Sequence, residues 1–126
     1  MRLWLTILAL LVSLAAGAAV AAVIVLVCLT VKKLRELIKT HLERKKKSKV
    51  AFGSTRKIVD KHAEELLAKA PSMADLEKLT DDVPYFIVNY DPKTDEVSDV
   101  TAIKAETVED EVDKIFYEND GIVLFD

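Results

Sequence analysis

Hydrophobic and polar positions divide this chain into three stretches of different period. From Leu3 to Val31 no residue is charged and nearly every position is apolar. From Lys32 the pattern turns helical. Leu34, Leu37, Ile38 and Leu42 recur at spacings of three and four, with Lys33, Arg35, Lys39, Glu43 and Arg44 between them. Beyond Pro84 it changes again, to short runs rich in aromatic and β-branched residues.

The first stretch predicts a single transmembrane helix over 1–31. About 20 apolar residues cross a bilayer as a helix. At about 1.5 Å per residue this run reaches roughly 43 Å, and tilt absorbs the surplus over a hydrocarbon core of about 30 Å. Trp4 stands where an interfacial anchor belongs. Behind the run come Lys32, Lys33, Arg35, Lys39, Arg44, Lys45, Lys46, Lys47 and Lys49, against Arg2 in front. That imbalance directs the amino terminus outward and everything after Val31 to the cytoplasm. The same nine residues form a candidate membrane-surface group, each able to attract anionic lipid head groups by about 1 kcal/mol. A cleaved signal peptide is the competing reading, with small residues at Gly17-Ala18-Ala19 or Val20-Ala21-Ala22. It would leave Val23-Ile24-Val25-Leu26-Val27 at the mature terminus, and the basic flank opposes translocation. Within the run Ala9, Ser13, Gly17 and Ala21 recur every four residues. Such a small-residue stripe is a candidate helix-packing face and a route to a homo-oligomer. The one cysteine, Cys28, forms no internal disulfide and reads as a small hydrophobe.

The remainder reads as two parts. Residues 32–53 are a basic juxtamembrane helix and linker. The helix continues to roughly Lys47, the Lys45–Lys49 run stays solvated, and Gly53-Ser54-Thr55 makes a turn that caps the next helix. Residues 54–126 are a small acidic α+β domain. Ile58, Val59, Ala63, Leu66, Leu67 and Ala70 stripe one helix over 55–70, which Pro71 ends. Ser72 with Asp75 starts a short helix over 73–79. Strands follow at 84–90 and 96–104, joined by turn chemistry in Asp91-Pro92-Lys93-Thr94-Asp95. A helix over 107–118 ends at Asn119-Asp120-Gly121, and Ile122-Val123-Leu124-Phe125 is a terminal strand. The order ββαβ predicts a three-stranded sheet with the terminal strand beside the hairpin. The 55–70 helix is its cover. His41 and His62 read as boundary residues of their helices.

Charge sharpens this division. Residues 1–57 hold twelve Lys or Arg and two Asp or Glu; residues 58–126 hold six and nineteen. The net charge of −3 therefore describes neither half. The acidic domain opposes nucleic acid, and no aromatic interleaves the basic run. That domain has no histidine or cysteine after residue 62 to build a nucleophile–base pair. Glycine occurs only at 17, 53 and 121, so no phosphate-binding or dinucleotide loop exists. The acids at Asp91, Asp95, Glu96 and Asp99 fail the calcium-loop pattern, because Lys93, Glu96 and Ala102 occupy its third, sixth and twelfth places. No catalytic, cofactor or metal residues are assigned. The expectation is a non-enzymatic single-pass membrane protein that presents an acidic module to a protein partner, as adaptor, regulator or accessory subunit. The alternative is a small pore or holin-like oligomer with a regulatory tail.

Overall fold

A computed structural model describes residues 2–17, 20, 22–44, 48–69, 72–94 and 96–125. The charge-free stretch does not form one helix. It gives helix α1 (Arg2–Ala15), a turn at Ala16 and Gly17, and strand β1 (Ala22–Leu29). Gly17 adopts φ +107, a conformation natural to glycine that leaves the helical path. Beyond it, Val23, Ile24, Val25 and Val27 are β-branched and favour extended backbone.

The transmembrane span is therefore corrected. Among the described residues no helix is long and apolar enough to cross a membrane. The 14 residues of α1 extend about 21 Å, short of a hydrocarbon core of about 30 Å. The single-pass architecture, the outward amino terminus and the cytoplasmic placement of the carboxyl-terminal region all rested on that span and fall with it.

The basic segment follows as α2 (Val31–Arg44), separated from α1 by a strand. Next comes β2 (Lys49–Ser54), where a linker and turn were expected. Two short helices, α3 (Thr55–Lys61) and α4 (Ala63–Leu67), replace one helix over 55–70 and break at His62. Then come α5 (Met73–Asp82), β3 (Tyr85–Tyr90), β4 (Val97–Val108), α6 (Asp110–Glu118) and β5 (Ile122–Phe125). Ser72 caps α5 reciprocally: its Oγ accepts from the Asp75 N–H at 3.1 Å and its hydroxyl donates to Asp75 Oδ2 at 2.9 Å.

The three-stranded ββαβ sheet is also corrected. The five strands lie in the order β1-β4-β3-β2-β5. All neighbours are antiparallel except β1 and β4, which run parallel. The terminal strand β5 lies at an edge on β2, not beside the hairpin. The interior strand β2 was hidden because Lys49 and Gly53-Ser54 bound only three apolar residues, Val50, Ala51 and Phe52.

Helices cover both faces of the sheet. Ile7, Leu8, Leu11 and Leu14 of α1 pack on one face with Ile58, Leu66, Leu76 and Leu79 from α3, α4 and α5. On the other face Leu34, Leu37 and Ile38 of α2 join Val112 and Phe116 of α6. Strand alternation serves both cores: Phe86 and Val88 point to the first, and Ile87 between them to the second. Phe116 anchors the second core, its ring centroid 5.6 Å from Phe52 and 5.4 Å from Tyr85.

Candidate interaction surface

One side of β1 is paired with β4 and, among the described residues, the other is not. Its register on β4 runs from Ala22 opposite Thr101 to Leu29 opposite Val108. The Thr107 hydroxyl donates to Val27 O at 3.2 Å, and the Glu109 N–H donates to Leu29 O at 2.9 Å. Among the described residues no strand lies on its outer edge. Alternation turns Ile24 and Leu26 toward the α2–α6 core. Val23, Val25 and Val27 face the other way and are 55, 73 and 75% exposed. The end of α1 reaches only the near part of this face. There Leu14, Ala15, Gly17 and Val20 line a cleft of about 390 Å³ with Val23. An edge strand is a template for pairing, and proteins normally blunt it with lysine, proline, a bulge or an inward charge. Strand β1 has no charged residue and no proline. The charges in register are Lys104 on β4, opposite Val25, and Glu106, which the same register sets opposite Val27.

The stripe residues expected to pack a membrane helix are divided by this fold. Ala9 and Ser13 are exposed on α1, Gly17 lies in the turn after it, and Ala21 lies outside the described residues. The buried face of α1 is made instead by large aliphatic residues. Of the nine basic residues, Lys32, Arg35, Lys39 and Arg44 are exposed on α2 and Lys33 is half-buried. Lys33 Nζ lies 3.7 Å from Glu36. Lys45, Lys46 and Lys47 lie outside the described residues, and Lys49 begins β2.

A buried polar cluster, not anticipated from the sequence, ties α2 to the sheet. His41 is 1% exposed. Its Nδ1–H donates to the Leu37 carbonyl at 3.1 Å, which leaves Nε2 as an acceptor, 3.5 Å from the Thr101 hydroxyl. Asn89, fully buried in β3, donates through Nδ2 to the His41 carbonyl at 2.9 Å and to Ser48 Oγ at 3.0 Å. It thereby satisfies one of the carbonyls that end α2. Its Oδ1 has no hydrogen-bond partner among the described residues. Beside the cluster β4 bulges. Asn89 faces Ser98 while Ile87 faces Thr101, and Asp99 in the extra length takes φ +54. An alternating strand with one Asn and a helix with one His carry no sign in the sequence that these groups meet.

Burial holds the His41 pKa below its ordinary value of 6.5, opposed by the Leu37 hydrogen bond; the Arg44 charge lowers it further and Asp99 raises it. The folded state therefore resists a proton that the unfolded state accepts. This group leaves stability unaffected above the unfolded pKa and weakens the fold as pH drops below about 6.5. Urea unfolding between pH 8 and pH 5 should show that loss. His41→Leu should flatten the profile in this window, and an unchanged slope would remove the histidine from the explanation.

Two clefts lie at the α3 and α6 ends. One of about 720 Å³ is lined by Lys57, Asp60, Lys61, Tyr117 and Asp120. Both of its lysines have partners within it: Lys61 Nζ is 2.6 Å from Asp120 Oδ1, and Lys57 Nζ lies 5.6 Å from the Tyr117 ring centroid. The second, about 570 Å³, includes Tyr85 and Asp113. Burial, then the Asp113 charge and its 3.3 Å hydrogen bond, push the Tyr85 hydroxyl up to about 12. The hydroxyl therefore stays protonated at neutral pH and donates to Asp113. Among the described residues no group of three or more His, Cys, Asp or Glu is placed to hold a metal ion. Comparison with protein-family models, with curated proteins and with solved structures found no match.

Proposed function

We propose that the protein is a non-enzymatic interaction module that binds its partner by adding a strand to the outer edge of β1. The carrying observation is an eight-residue edge that is apolar and uncharged and that, among the described residues, has no strand on its outer side, with its three outward valines more than half exposed. Strand addition supplies main-chain hydrogen bonds for affinity, and alternate side chains supply selectivity. A row of unpaired backbone groups beside exposed valines is a template for pairing and prone to aggregate, which favours a role in which it is covered. The expected use is that of an adaptor, regulator or accessory subunit.

A photoreactive residue at Val25 tests the reading in the cells that make the protein, with the same residue at Lys93 as control. Lys93 lies in the exposed turn between β3 and β4. Adducts confined to position 25 are expected. Equal labelling at both positions, or none at 25, would overturn it.

A further inference from the structure

We infer that the strand received by β1 is β1 of a second copy, paired antiparallel about a two-fold axis at Val25. This deepens the interaction reading and rests on it. Directly opposed residues of an antiparallel pair point to the same face of the sheet. A two-fold axis normal to the sheet keeps each face on its own side, so it must fall between the two copies of one residue, which then face each other, and not level with the bond between two neighbours in the strand. Centred on Val25, it sets Val25 against its own copy and Val23 against Val27 of the partner. All three exposed valines then share one patch, because the triplet 23-25-27 reads the same from either end.

The remaining pairs are equally compatible. Ala22 meets Cys28 and Ile24 meets Leu26. No charged residue occurs between 20 and 30, so neither of the two paired strands brings a charge of its own, and Lys104 and Glu106 of β4 stand one strand further in. All 39 charged residues of the chain lie outside 3–31. A strand of alternating apolar and charged residues, the usual pattern of a half-exposed strand, would place its charges either against the valine patch or against the face carrying Ile24 and Leu26. A copy of β1 brings neither. The contact is isologous and therefore closes at two copies, where pairing of β1 with the far edge β5 would propagate. Two five-stranded sheets would join into one of ten strands, within the usual range.

Light scattering on the purified full chain, over a wide range of concentration, should give twice the chain mass of 14.0 kDa. Two double variants test the register, both at exposed positions where the monomer fold is unaffected, as circular dichroism would verify. Val23→Lys with Val27→Lys sets lysine against lysine twice and should weaken the dimer about tenfold or more. Val23→Glu with Val27→Lys sets opposite charges against each other twice and should keep the dimer near wild-type strength. A dimer indifferent to the lysine pair would place the contact on another surface. Loss in both variants would overturn the axis at Val25. A monomer throughout would overturn self-pairing. In that case, adducts to a different protein at position 25 would leave the interaction module standing, and no adducts would bring down both.

Discussion

A chain that begins at Val31 is expected to lose its cooperative unfolding transition. The truncation removes α1, whose Ile7, Leu8, Leu11 and Leu14 are buried against Leu76, Leu79 and Ala102. Burying four such side chains contributes on the order of 6–12 kcal/mol gross. The net stability of a domain is only about 5–15 kcal/mol. The truncation also strips β1 from β4 along its whole register and takes Leu29 out of the second core. Calorimetry and near-ultraviolet circular dichroism on the shortened chain should show a broad transition and weak aromatic signals. A sharp transition at the full-length temperature would show instead that 1–30 is a separable segment, and the five-stranded sheet would have to be abandoned.

The second large effect is expected at Gly53. In β2 this residue lies under the ring of Phe86, its cross-strand partner on β3. A Cβ there would come within 2.6 Å of Cε1 and 2.8 Å of Cε2, and closer still to Cζ. Phe86 is fully buried, so the ring has no free space to turn into. Gly53→Ala should therefore cost about 1–3 kcal/mol, and Gly53→Val more, as overpacking does in a close-packed core. A double-mutant cycle identifies the cause. In a Phe86→Leu background the Gly53→Ala penalty should shrink, because the colliding ring is gone. An equal penalty in both backgrounds would assign the effect to backbone conformation.

Local chemistry was legible where a few adjacent residues decide the outcome. Ser72 and Asp75 encode the start of α5, and the two side chains close the cap within one turn. Asp91 encodes the turn after β3, its Oδ1 accepting from the Lys93 N–H at 2.8 Å. Asn119-Asp120-Gly121 ends α6, with Asp120 and Gly121 both at positive φ. The aromatic and β-branched run before Asp91 is β3. Each depends on backbone preferences that act over three or four residues, whatever surrounds them.

Tertiary structure decided what the hydrophobic pattern left open. An uninterrupted apolar run satisfies a membrane helix or a buried helix and strand equally, because hydrophobicity alone does not name the apolar partner. The available partners choose: α1 has α5 to pack against, and β1 has the edge of β4. Strand β2 becomes an interior strand because β3 and β5 pair on both its sides, although Lys49 and Gly53-Ser54 locally resemble a linker. The helix over 55–70 breaks at His62 without a glycine or proline, so packing and not propensity sets the break. His41 and Asn89, 48 positions apart, meet only when α2 lies on the sheet. The sequence by itself determined the amphipathic helices, the turns, the division of charge and the absence of charge from 3–31. Which part of that uncharged stretch is buried, and which stands exposed as the edge of β1, was decided by contacts between residues far apart in the chain, which no local pattern encodes.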